Sequence, residues 1–157
     1  MQQKVSLLFM RSVAAILLLT AAAKLTTSVG SSRALLLPDP ILVLPFHHVF
    51  WIAGVLELLV ALVCILAKEA RVKACAVAWL ATCLVIYRVG LLWIGYRMPC
   101  SCLGNLTDSL HVSPRSADMI MKVVLAYLLA GSYAALLMQR RRERVAQLMP
   151  PTCVASA

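Results

Sequence analysis

Charge is what this chain has least of. Charged residues fill 13% of its 157 positions, and only six are acidic against fifteen basic. A soluble domain carries about a quarter of its residues as Asp, Glu, Lys and Arg, so that class is excluded. No polar stretch is long enough for a separate soluble domain, and 62% hydrophobic residues with a mean hydropathy of +0.91 belong to a chain embedded in lipid. Strict apolar–polar alternation over about 10 residues, the mark of a membrane β-barrel strand, is missing too. What is there instead is a set of long Leu/Ala/Val blocks, which read as helices.

Four blocks stand out, at about residues 5–29, 49–67, 74–95 and 117–138. Each exceeds the ~18-residue threshold for a spanning helix. The expected fold is an all-α integral membrane protein, a bundle of four transmembrane helices in one domain, with a basic tail over residues 139–157. An alternative reading makes the first block a cleaved signal peptide, with Lys4 and Arg11 as its charged region, Val13 to Leu19 as its core and Ala21-Ala22-Ala23 as the cleavage site. Removing it would leave three spans and put the arginine-rich tail outside, which the charge pattern disfavours.

Lysine and arginine set the orientation. Lys4, Lys68, Arg71, Lys73, Arg140, Arg141, Arg142 and Arg144 flank the spans on one side, against Arg33, Arg97 and Arg115 on the other. Both termini are therefore expected in the cytoplasm, and a bacterial inner membrane is the expected location. The formal net charge of +9 then reads as a topogenic signal and a match to anionic lipid heads rather than a nucleic-acid footprint. The lipid bilayer is the first partner this predicts, and nucleic acid is not one.

The first connection holds Pro38, Asp39, Pro40 and Pro45. Each proline lacks an N–H and biases the residue before it away from helix. A short interfacial or re-entrant segment between helices 1 and 2 is expected, its apolar residues covering the entrance to the bundle or serving as a plain connector.

The third connection, residues 96–116, carries the most reactive chemistry. Cys100 and Cys102 flank Ser101, with Pro99 ahead and Gly104, Asn105 and Asp108 behind, a bent rather than helical backbone. Ser113-Pro114 reads as an N-cap with proline at the first helical position of the last span. Two cysteines this close can close only a small strained ring, which is easier to reduce than a structural bridge. Arg97 and Arg115 would favour thiolate there. Cys64, Cys75 and Cys83 fall in or at the ends of spans and read as small apolar side chains, while Cys153 falls in the tail.

Charges inside the spans form a second group: Arg11 and Lys24 in the first, Glu57 near the middle of the second and Arg88 in the third. An unpaired charge at such depth costs about 3 kcal/mol or more, so these groups are expected to face the bundle interior and pair. Depth counted from the span ends makes Arg88 the first choice for Glu57 and Lys24 the second. Lys122 can snorkel to the headgroups and needs no partner. Pairing alone accounts for Glu57, with a proton relay or a quinone headgroup contact as the functional versions; no motif calls for a quinone or any other cofactor. His47, His48 and His111 all fall on the outer side, but their spacings match no standard metal site.

Taken in order, an Arg11-bearing span ending Ala-Ala-Ala-Lys24-Leu, a span with Gly54-Val-Leu-Glu57-Leu, and the outer Pro99-Cys100-Ser101-Cys102-Leu103-Gly104 resemble the MauE family of four-helix membrane proteins, itself similar to the DoxX group. The resemblance covers residues 6–138. It implies an inner-membrane accessory of redox maturation, in MauE itself the maturation of methylamine dehydrogenase. Leu103 stands where the family usually has an aromatic residue, which marks a divergent branch.

These observations lead to one functional expectation and two alternatives. Cys100 and Cys102 are expected to exchange disulfides or electrons with an extracytoplasmic client protein or thiol-redox partner. The alternatives are a non-catalytic scaffold subunit of an oxidoreductase complex and a small-solute transporter. The paired broken helices of transporters are lacking.

Overall fold

In the computed structural model of the chain, residues 2–28, 38–95 and 114–148 are described. They form four helices, α1 (Gln2–Ser28), α2 (Phe46–Leu66), α3 (Ala70–Trp93) and α4 (Pro114–Leu148). Each contains a stretch long and apolar enough to cross a membrane: Leu7–Ser28, Phe46–Leu66, Ala70–Trp93 and Asp118–Val145. At 1.5 Å per residue even the shortest, 21 residues, extends over about 31 Å, the thickness of a bilayer's hydrocarbon core. The chain is thus a four-helix bundle of membrane-spanning length, with no strand among the described residues.

The helix ends differ from the hydropathy boundaries for local reasons. Proline at 45 is extended and precedes the first turn of α2 (φ −56°, ψ 140°), so Phe46, His47 and His48 join the helix and it begins three residues early. Ala67 is extended (ψ 139°) and the chain re-enters helix at Ala70, so Arg71 and Lys73 stand in the opening turn of α3 rather than in a loop. At the other end of α3, Gly95 takes the left-handed conformation (φ +72°) while its N–H bonds to Leu92 O at 3.1 Å, a helix stop that glycine makes without strain. The first ten residues after the last hydrophobic block are helical as well. No Gly or Pro interrupts residues 139–148, the residues there are good helix formers, and α4 runs on to Leu148 with Arg140, Arg141 and Arg144 exposed.

The core lies where all four helices meet. Val13 and Leu17 from α1, Val60, Ala61 and Cys64 from α2, Val77, Leu80 and Ala81 from α3, and Leu128 from α4 form one buried cluster. The outward faces are apolar as well, with Leu19, Leu66 and Trp93 among the most exposed. In water that surface would aggregate. Against lipid tails it costs nothing.

Glycines stand at two of the contacts that α1 makes. A Cβ on Gly54 would lie 3.0 Å from Leu25 Cγ and 3.4 Å from Ala21 O, so α2 rests against α1 at this point. Gly131 of α4 leaves room for the Phe9 ring of α1, which also meets Tyr127 edge-on at a centroid distance of 5.4 Å. Small residues at helix crossings are how membrane bundles gain packing contact, since lipid offers no hydrophobic drive between helices.

Residues 38–45 fold into a tight turn rather than a helix. Pro38 and Pro45 form an isolated antiparallel bridge, and Asp39 N–H bonds to Leu44 O at 2.7 Å. The Asp39 carboxylate organises the interior of the turn: its Oδ1 accepts the N–H groups of Ile41 (2.8 Å) and Leu42 (2.9 Å). Val43 pays with a left-handed backbone (φ +56°), uncommon for a β-branched residue.

Candidate functional site

Polar side chains inside the bundle gather at three points around one cavity. The deepest is an ion pair between Lys24 of α1 and Glu57 of α2, with the two side chains 5% and 2% exposed. The pairing follows from the Gly54 contact. Lys24 shares the face of α1 that carries Ala21 and Leu25, and Glu57, three residues from Gly54, shares the contacting face of α2, so the crossing that brings Gly54 onto Ala21 and Leu25 turns the two charges toward each other. This corrects the expectation that Arg88 pairs with Glu57. Depth counted from span ends ignored which faces the glycine presses together.

Arg88 turns instead to α4. Its Nη1 donates to Asp118 Oδ1 at 2.5 Å, and Lys122, one turn further along α4, reaches Asp118 Oδ2 at 2.7 Å. Lys122 therefore has a partner, where none was expected. Asp118 is one of the acidic residues that the sequence reading passed over. Its spacing of four residues from Lys122, neighbours on a helix surface, was the available signal. The opposite ends of the same two helices are tied by Arg71 Nη1 and Glu143 Oε1 at 3.4 Å. Together the two contacts fix α3 and α4 as antiparallel.

The third point is Asp39. Its residue is 1% exposed, and its second carboxylate oxygen accepts the Tyr87 hydroxyl of α3. Ile41 lies against Gly90, where a Cβ would stand 3.0 Å from Ile41 Cδ1. The proline-rich turn is thereby pinned to α3 by a hydrogen bond and an apolar contact. Neither Asp39 nor Tyr87 was singled out from sequence, because a hydrogen bond between residues 48 positions apart leaves no local pattern.

Between these points lies a partly open cavity of about 310 Å³, lined from all four helices and from Leu42 of the turn. Its walls are mostly aliphatic, among them Leu17, Leu56, Leu80, Leu84, Val124 and Leu128. Lys24, Glu57, Tyr87 and Arg88 also line it. Glu57 Oε1 is taken by Lys24, while Oε2 is buried with no hydrogen-bond partner among the described residues.

The remaining expected site residues fall elsewhere. Arg97, Cys100, Cys102 and His111 lie outside the described residues, as do Arg33 and residues 29–37 of the first connection. Arg115 belongs to the first turn of α4 by its backbone. Arg11 is exposed on α1 rather than turned to the interior, a correction with a simple cause: near the end of a span, a long side chain reaches the headgroup zone by itself. His47 and His48 sit in the first turn of α2 with ring centroids 3.9 Å apart. No three metal-ligating side chains converge among the described residues. Cys64 is buried, and Cys75 and Cys83 are exposed thiols without disulfides, Cys83 on the cavity wall.

Fold and cavity together define a class, a helical bundle whose four helices are each long enough to cross a membrane, enclosing one buried charge pair and one half-buried pair. Comparison with protein-family models, curated proteins and solved structures finds no match to this chain.

Proposed function

We propose that this chain is a multi-pass protein of the bacterial inner membrane that performs thiol–disulfide exchange with an extracytoplasmic client at Cys100 and Cys102. The observation that carries the reading is the division of the bundle into two ends. Lys68, Arg71, Lys73, Arg140, Arg141 and Arg144 gather at the end marked by the Arg71–Glu143 pair, which by the positive-inside rule is cytoplasmic. Gly95 and Pro114, which bracket the segment holding both cysteines, belong to the opposite end with Arg88 and Asp118. Disulfides persist on that side.

The exchange is written with its electrons. A thiolate of the pair attacks the client disulfide, one client sulfur leaves as thiolate, and a mixed disulfide forms. The second cysteine of the pair then attacks, releasing the client as a dithiol and closing the Cys100–Cys102 bond. Two electrons have passed to the client, and a thiol-redox partner returns them; the reverse sequence oxidises the client. The pinned turn at residues 38–45 acts as an interfacial cover over the entrance to the bundle.

The test replaces both cysteines with serine and measures client disulfide content in cells. A changed content is the expected result, together with mixed disulfides trapped in the single-cysteine variants. Unchanged content overturns the proposal. A stable intermolecular adduct of the unaltered chain, resolved on a non-reducing gel, supports the scaffold reading in its place.

A further inference from the structure

The cavity between the four helices has a use that is independent of the cysteines. Two observations coincide there. Its walls are aliphatic over a volume of about 310 Å³, within the size of small-molecule pockets, which typically combine apolar lining with a few placed polar groups. On its wall stands Glu57, 2% exposed, with Oε1 held by Lys24 and Oε2 unpartnered among the described residues. A buried acceptor left unmade is costly, and native structures satisfy the great majority of such groups.

We propose that this cavity binds a lipid-soluble molecule with a hydroxyl-bearing head and an apolar body, the hydroxyl donating its hydrogen bond to Glu57 Oε2. The charges on the page define the head. Lys24 already neutralises Glu57, and Asp118 is shared by Arg88 and Lys122, so the pocket offers neither a bare cation for an anionic head nor a second free carboxylate for a cationic one. An acceptor-only head, such as an ester or a quinone, would set oxygen against oxygen at Oε2. A phenol, a hydroquinone or a lipid alcohol supplies the missing donor. The body lies along Leu17, Leu56, Leu80, Leu84, Val124 and Leu128.

The experiment uses the purified full chain in lipid nanodiscs, with empty nanodiscs to subtract partition into the bilayer. Binding isotherms are taken for decyl hydroquinone, its dimethyl ether and decanol. The expected result is saturable binding of at least one hydroxyl compound, and at least about tenfold weaker binding of the ether, as expected when a buried polar group goes unpaired. Hydroquinone alone binding identifies a ring diol as the source, and decanol binding equally well identifies a lipid alcohol. Equal affinity for the ether and the hydroxyl compounds, or no saturable binding by any of them, overturns the proposal.

Two variants locate the site. In a folded Lys24→Met/Glu57→Leu double variant the preference over the ether is expected to fall below about threefold, since its acceptor is gone. In Ala53→Phe a ring fills the cavity from α2, and binding is expected to be lost with helix content retained. An undiminished preference in the first, or undiminished binding in the second, overturns the assignment. Should both variants fail to fold, the comparison of ligands on the unaltered chain still decides.

Discussion

Replacing Lys24 by methionine removes the countercharge from a carboxylate that is 2% exposed at the middle of α2. Breaking a buried ion pair by deleting one partner costs about 3–5 kcal/mol. The two halves of the pair should not respond equally. Lys24 lies four residues before the end of α1, about 6 Å along the axis, so with Glu57→Leu its ammonium can reach toward the headgroups and the loss should be about 1–3 kcal/mol. Glu57 has no such exit. The double variant Lys24→Met/Glu57→Leu leaves apolar side chains in an apolar place and should approach the parent chain, because buried pairs replaced by hydrophobic residues are often neutral or better. The cycle is measured by equilibrium unfolding of the purified chain in bicelles. Its expected coupling energy is at least about 2 kcal/mol, with Lys24→Met the worse single variant. Additivity within about 0.5 kcal/mol would mean that the two charges do not sense one another, and would refute the pairing and the register that Gly54 imposes.

Two further outcomes follow from the proline-rich turn. Tyr87→Phe leaves a carboxylate oxygen of buried Asp39 without its donor, so it should cost about 1–3 kcal/mol in the same unfolding assay and open the turn to limited proteolysis at residues 40–44. Val43→Gly relieves a left-handed backbone at an 80% exposed side chain and should stabilise the chain by about 1 kcal/mol, seen as a raised unfolding midpoint.

The class of fold was legible before any coordinates because it rests on composition and local length. A run of about 20 apolar residues with few charges has little choice but to form a helix in lipid, and the four runs are the four helices. That residues 38–45 leave the regular helix was legible for the same kind of reason, three prolines in eight residues, whereas the tight turn they form was not. The expected starts of α2 and α3 fell three and four residues late, because the chain enters helix directly after the extended Pro45 and again at Ala70, while the basic segment after residue 138 stays helical beyond the hydrophobic run.

The polar interior was only half legible. That Lys24, Glu57 and Arg88 need partners followed from the energetics of charge at depth, a property of each residue alone. Which partner each takes did not follow. That was decided by the faces that meet when Gly54 lets α2 settle on α1 and when α3 lies antiparallel to α4. The same packing made the cavity and left Glu57 Oε2 on its wall. Hydropathy and proline content act along the chain and can be read from it, whereas a pairing or a cavity is a relation between surfaces and exists only once the helices have packed.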